Sequence, residues 1–194
     1  MAASASELKK IARSYVQNCR RHAQAELAYF QGLQTPEEAL TRAATARLRN
    51  GKHSHQNRIP PAVLEESRRR LVDNLRRIKN AQSFDDLFDL VERISGPIHG
   101  IGELAVYDTA LRIGARFGLE PTKVYLHAGT RDGAKKLLGI NGRRKTIELE
   151  ELPAALRSFS AREIEDLLCI YKDGPDDLTP DCRPAQPRRR RGPC

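Results

Sequence analysis

Between an apolar helical pattern that ends near Ser95 and another that begins at Glu103 lies the run Gly96, Pro97, Ile98, His99, Gly100, Ile101, Gly102. A Gly-Ile-Gly turn ahead of a helix can bring bare backbone N–H groups up to a phosphate oxygen, where the positive end of the helix dipole favours an anion. His99, Gly100, Ile101 and Gly102 are therefore candidate phosphate contacts, and Lys135, Lys136, Arg143, Arg144 and Lys145 are candidates for a flanking positive surface. The same glycines also suit a plain tight turn between two helices. A second dense stretch runs from Tyr125 through His127 to Arg131. Gly129 and Thr130 there can open a helix whose first amides bind an anion, with His127 and Arg131 adding side chains. The competing reading is a capped helix start with His127 half-buried against the core. His53 and His55, beside Lys52 and Arg58, could act as an acid–base pair or simply be solvated, and they lack a third ligand at metal-binding spacing.

Composition narrows the partners. The chain has 194 residues, 39% of them apolar, enough for one core or one core with an appendage. Its 34 Lys and Arg exceed its 25 Asp and Glu, giving a net charge of +9. The positive residues are spread over Arg20-Arg21, Arg68 to Arg70, Arg76-Arg77 and Arg188 to Arg191 as well as the clusters already named. Such a distribution favours a polyanionic partner, or else a well-solvated surface. Tryptophan is absent and aromatics make up 5%, so a stacking platform for single-stranded bases has little to be built from, and duplex backbone is the expected target. No apolar leader or membrane-length run is present, which predicts a cytoplasmic protein without a membrane partner. Cys19 and Cys169 fall in helical patterns and Cys182 and Cys194 in a Pro-rich tail, so neither a disulfide framework nor a zinc site is expected, and no cofactor.

The elements that must position these groups read as helices. Leu8, Ile11, Tyr15, Cys19 and His22 set one long amphipathic helix over residues 6–33, and Thr35, Pro36 and Glu38 open the next with an N-cap and a capping box. A polar loop spans 50–61. Leu64, Leu71, Leu75 and Ile78 form the apolar face of a third helix, opposite Arg69, Arg70, Arg76 and Arg77. Ser83 caps a fourth that carries Phe84, Leu87, Val91 and Ile94. Val106, Ala110, Ile113 and Phe117 form the buried face of a fifth, with Asp108, Arg112 and Arg116 as its polar stripe and Gly118 as its C-cap. Residues 121–126 are either a short extended piece or a helical turn. A short helix follows over 131–138, another begins at Leu152-Pro153, and Ser160 with Glu163 makes a second capping box ahead of Ile164, Leu167 and Leu168. The expected fold is mainly α: one compact multi-helix domain over 1–172, with a disordered Pro/Arg-rich tail over 173–194.

With a capped helix before it and an apolar-periodic helix after it, the segment over 84–117 resembles the helix-hairpin-helix element of DNA-binding and DNA-repair proteins. More distantly, the chain as far as Leu138 is similar to the base-excision glycosylases of that superfamily. The resemblance implies that the hairpin amides at Gly100 to Gly102 hold the phosphates of a duplex without reading its sequence. Leu104 stands where a catalytic lysine of those glycosylases would be, and the stretch from Thr122 to His127 has no carboxylate where their catalytic Asp would lie. Glu103, at the first helical position, also opposes a docked phosphate. The expectation is a non-catalytic DNA-binding protein. The rival is an enzyme acting on a phosphate-bearing or nucleic-acid substrate with His127, Arg131, Tyr125 and the loop histidines, and a third possibility is an interaction module that docks protein through the hairpin.

Overall fold

In the computed structural model, residues 2–48, 55–174, 178, 180 and 182 are described. Their order is α1 (Ala5–Asn18), α2 (Arg20–Gln31), α3 (Pro36–Ala44), a 3-10 turn (His55–Arg58), α4 (Pro61–Asp73), α5 (Leu75–Lys79), α6 (Phe84–Ser95), α7 (Glu103–Phe117), β1 (Val124–Tyr125), α8 (Ala128–Gly133) running into a π turn (Ala134–Leu138), β2 (Thr146–Ile147), a 3-10 turn (Leu149–Glu151) and α9 (Ala161–Ile170). The described residues form a mainly α-helical structure, and none of their helices is long and apolar enough to cross a membrane.

Two apolar clusters make up the interior. The first gathers Phe30, Leu40, Leu71, Ile78, Leu87, Val91, Tyr107 and Ile113 from α2 to α7. The second gathers Leu8, Ile11, Tyr15, Val124, Leu137, Ile147, Ile164 and Leu167 from α1, the β1–β2 pair, the π turn and α9. Helix α7 packs on α2, α3 and α6, while α9 packs on α1, α8 and β1. Side chains of α7 are buried nearly all round, as expected of a central helix, and left-handed Gly118 (φ +71°) ends it.

Several elements depart from expectation. The first helix breaks at Cys19 (φ −115°, ψ −43°), and the third breaks at Asn74, dividing α4 from α5. Thr35 accepts a hydrogen bond from the Glu38 amide as expected, and the Glu38 carboxylate accepts one from Arg42 Nε at 2.9 Å. Within residues 121–126 only Val124–Tyr125 is strand, with Val124 opposite Ile147 and Tyr125 opposite Thr146 in an antiparallel pair. The helix expected over 131–138 starts at Ala128 instead, and 152–159 forms turns rather than a helix, its Leu152, Leu156 and Phe159 side chains filling the second cluster.

Two of the three residues of the polar stripe expected on α7 are buried, and Arg116 is half-buried. Asp108 and Arg112 are 9% and 3% exposed, because α2 and the 55–58 turn cover them. Arg112 donates to Glu26 Oε1 and Gln56 Oε1, both at 2.9 Å, and Gln56 donates to Asp108 at 3.0 Å. The absence of a disulfide is likewise corrected: Cys19 and Cys182 are bridged, with Cα atoms 5.0 Å apart. Close by, the Leu178 carbonyl accepts hydrogen bonds from Ser14 and Asn18 of α1, so the expected disordered tail is tied down at these two residues. Arg188 to Arg191, and with them most of that expected tail, lie outside the described residues.

The α8–α9 crossing sets the position of His127. Gly133 lies against the α9 backbone, where a Cβ would sit 2.7 Å from the Leu168 carbonyl carbon and closer still to its oxygen. Backbone cannot yield as a flexible side chain would, so Gly133→Ala is expected to lower stability by about 2 kcal/mol or more, read as a fall in the urea midpoint. A wild-type midpoint would remove the close crossing as a constraint.

Candidate functional site

Helix α6 runs into the turn over 96–102. Its Ser95 hydroxyl bonds that of Ser67 in α4 at 2.9 Å, and buried Ile98 anchors the turn. The Ile101 amide donates inward to the Ile98 carbonyl at 3.0 Å. Gly100 takes a left-handed conformation (φ +95°) that disfavours any side chain. Gly100 and Gly102 are both exposed, His99 is exposed, and Ile101 is half-buried against the first cluster. Gly102 is the N-cap of α7 and supplies no side-chain cap, and open space surrounds the position a Cβ would take there.

Immediately beside the hairpin lies a cavity of about 380 Å³. Val106, Tyr107, Phe88 and Tyr125 give it apolar walls, and its polar groups are Asp85, Asp89, Glu92 and Glu103 against Lys123, Arg131, Lys145 and His127. The structure thus brings Tyr125, His127, Arg131 and Lys145 together around one space that also touches the start of α7. Two of the cations are matched to carboxylates: Arg131 donates to Glu103 and to the Leu126 carbonyl (2.7 Å), and Lys123 donates to Asp85 at 2.5 Å. The Tyr125 hydroxyl donates to the same Asp85.

The other expected contacts are dispersed. Lys136 donates to the Asp173 carbonyl, Arg144 forks onto Glu151 with two bonds of 2.6 Å, and Lys135 and Arg143 are exposed. Arg144, helped by the Glu148 amide, holds the Glu151 carboxyl down at about 2. Thr130 is fully buried. Its hydroxyl accepts from the His127 amide at 2.7 Å and donates to the His127 carbonyl at 2.9 Å, so it serves the helix start. Gly129 is half-buried against Cys169. His53 and the side chain of His55 lie outside the described residues.

His127 is 3% exposed, more deeply buried than the half-buried position expected. Its Nε2 lies 2.5 Å from Glu165 Oε1, and Cys169 stands one helical turn beyond Glu165 on α9. The potential ligand atoms of His127, Glu165 and Cys169 all lie within 4.8 Å of one another. Burial, together with nearby Asp166 and Asp108, pushes the Glu165 carboxyl well above its ordinary range, and burial with Glu165 beside it pushes the Cys169 thiol up to about 12. Sequence spacing missed Glu165 because a residue on α9 meets His127 only through the tertiary crossing. Comparison of the chain with models of known protein families, with curated proteins and with solved structures finds no match.

Asp85 joins the end of the cavity contributed by α6 to the β1 strand. Partial burial raises its pKa, but the hydrogen bonds from Lys123 and Tyr125 outweigh that and leave the carboxyl below its usual value. Its stabilising contribution is therefore present above the unfolded-state pKa and is lost as pH falls through the lower folded value. Asp85→Asn is expected to cost roughly 1 kcal/mol at pH 7, since the pair is partly solvated, and this cost should shrink below about pH 4. Urea denaturation of both proteins across that range measures the difference, and a cost independent of pH would refute the assignment.

Proposed function

We propose that the chain binds the phosphate backbone of duplex DNA through the 96–102 turn, with α6 and α7 acting as a helix-hairpin-helix element and no catalytic group at the contact. The observation that carries this reading is the exposed, side-chain-free entry to α7 at Gly102. The first amides of a helix have no partner within it, and here no capping side chain occupies the N-cap, so a phosphate oxygen can take that place. Gly100, in a left-handed conformation, also adds no side chain to the turn. Glu103 would repel a phosphate, but its ion pair with Arg131 offsets that charge, and Lys145 adds a cation on the same cavity. The net charge of +9 favours the encounter. This reading places the protein in the cytoplasm, where it would meet DNA.

Because space is open around Gly102, Gly102→Ala should leave the fold intact while putting a methyl group where the phosphate oxygen would approach. The expected result in fluorescence anisotropy with a labelled duplex is an unchanged melting temperature and roughly tenfold weaker binding, the worth of one charge-assisted hydrogen bond. Lys145→Ala should flatten the dependence of log K on log salt by about 1. Absent or salt-insensitive binding, or wild-type affinity in Gly102→Ala, refutes the proposal.

A second reading rests on the cavity that joins Tyr125, His127 and Arg131. In it the chain is an enzyme whose phosphate-bearing or nucleic-acid substrate seats against Arg131 and Lys145, away from Asp85 and Asp89. It requires turnover of a phosphodiester substrate that Arg131→Ala abolishes and Gly102→Ala spares. Turnover that survives Arg131→Ala excludes it.

A further inference from the structure

The crossing of α8 and α9 collects a donor set that the DNA reading does not use. His127 enters at the N-cap of α8, and Glu165 and Cys169 follow at i and i+4 on one face of α9. These are an imidazole, a carboxylate and a thiol, with His127 and Glu165 buried and Cys169 half-buried. Nitrogen, oxygen and sulfur donors in this combination suit a borderline-soft divalent ion of the zinc class.

Three further observations bear on the fit. The first is space: a Cβ at Gly129 would lie 3.3 Å from Cys169 Sγ and 3.9 Å from His127 Cε1, so glycine leaves the flank of both donors clear. The second is an unpartnered group. The Tyr107 hydroxyl is buried, has no hydrogen-bond partner among the described residues, and lies in the field of Glu165, with its ring 6.0 Å from that of His127. Orphaned buried hydroxyls cost free energy, and a metal-bound water is one partner that would satisfy this one. The third is charge. Glu165, Asp166 and Asp108 are grouped here against Arg162 and Arg112, and Arg112 is shared with Glu26. A divalent ion seated between His127, Glu165 and Cys169 would add positive charge beside these carboxylates.

We propose that His127 Nε2, the Glu165 carboxylate and Cys169 Sγ bind a zinc-class divalent cation, with water in the fourth position. The charges balance: a doubly positive ion displaces one proton from the Cys169 thiol and one from the Glu165 carboxyl, both protons pass to solvent, and the liganded cluster is neutral. Tetrahedral bonds to such an ion set its donors about 3.3–3.8 Å apart. The His127–Glu165 contact must therefore open by roughly 1 Å, a change that rotation of the Glu165 side chain supplies. His127 forms part of the cavity wall, which provides an entry path. Seated there, the ion ties the start of α8 to α9.

The experiment uses the full chain, stripped with a chelator and kept without reductant so that Cys19 and Cys182 stay bridged. Titration with Co²⁺ should produce a thiolate-to-cobalt charge-transfer band that saturates at one equivalent, and Zn²⁺ should displace it. Cys169→Ser should abolish the band and Cys194→Ser should retain it, while Glu165→Gln should weaken Zn²⁺ binding at least tenfold. Affinity should fall as pH is lowered, since two protons compete with the ion. Independently of any variant, Zn²⁺ should slow alkylation of Cys169 in the wild-type chain, read at that residue by mass spectrometry. A missing cobalt–thiolate band, a band that persists in Cys169→Ser, or an alkylation rate at Cys169 unaffected by Zn²⁺ each overturns the site. None of these measurements involves DNA, so they stand or fall separately from the proposed function.

Discussion

The structure depends on how one buried guanidinium is satisfied. Arg112 sits in the middle of α7 with 3% of its surface exposed, and an unpaired charge in that position costs about 3–5 kcal/mol relative to a paired one. Its partners among the described residues include Glu26 on α2, Gln56 on the 55–58 turn, and Asp108 one turn back on α7. Satisfying Arg112 therefore fixes α2 and the turn against the central helix. The same requirement brings carboxylates inside. Asp108 accepts from Gln56, and Asp166 on α9 accepts from the Tyr15 hydroxyl of α1 at 2.9 Å and lies 3.4 Å from Arg162. The result is a polar seam between two apolar clusters, and Glu165 with His127 forms its end nearest the cavity.

That seam explains why α7 is buried on a face that its sequence marks as polar. Amphipathic periodicity identifies a helix and one apolar face, but it cannot say whether the other face meets water or a set of matching charges. Asp108 and Arg112 therefore look like solvent residues in the sequence and are core residues in the fold. The local signals were legible. Thr35, Ser83 and Ser160 each cap the helix that follows, and Gly118 ends α7 in a left-handed turn. Each of these is decided within a few residues by backbone hydrogen bonding. The breaks at Cys19 and Asn74 carried no Gly or Pro to announce them. Helical periodicity continues through both sites, and tertiary packing bends the chain there.

The candidate groups divide in the same way. The 96–102 turn is legible because it is local: Gly100 and Gly102 shape a turn whose neighbours in sequence are its neighbours in space. The His127–Glu165–Cys169 group is not, because Glu165 lies 38 residues from His127 and meets it only where Gly133 lets α8 close on α9. The Cys19–Cys182 bridge, with a separation of 163 residues, is a further example. Cysteine spacing along a chain carries information when ligands share a loop, and little when a tertiary crossing assembles them.

Glu103 joins the hairpin to the cavity. As the first residue of α7 it stabilises its own helix, because a carboxylate there complements the dipole, yet it opposes any phosphate that docks at the same amides. Arg131 resolves the conflict by pairing with Glu103 from α8, and its second bond, to the Leu126 carbonyl, holds the guanidinium at the cavity wall. The charge presented at the entry to α7 is therefore set partly by the position of α8, which in turn depends on the crossing with α9. Under the proposed function, a ligand in the cavity that drew Arg131 away would uncover Glu103 and weaken phosphate binding at the 96–102 turn. A phosphate at the hairpin would favour the paired state and disfavour such a ligand by the same factor, since coupling between two sites is reciprocal. Arg131 is thus the element shared by the entry to α7 and the cavity.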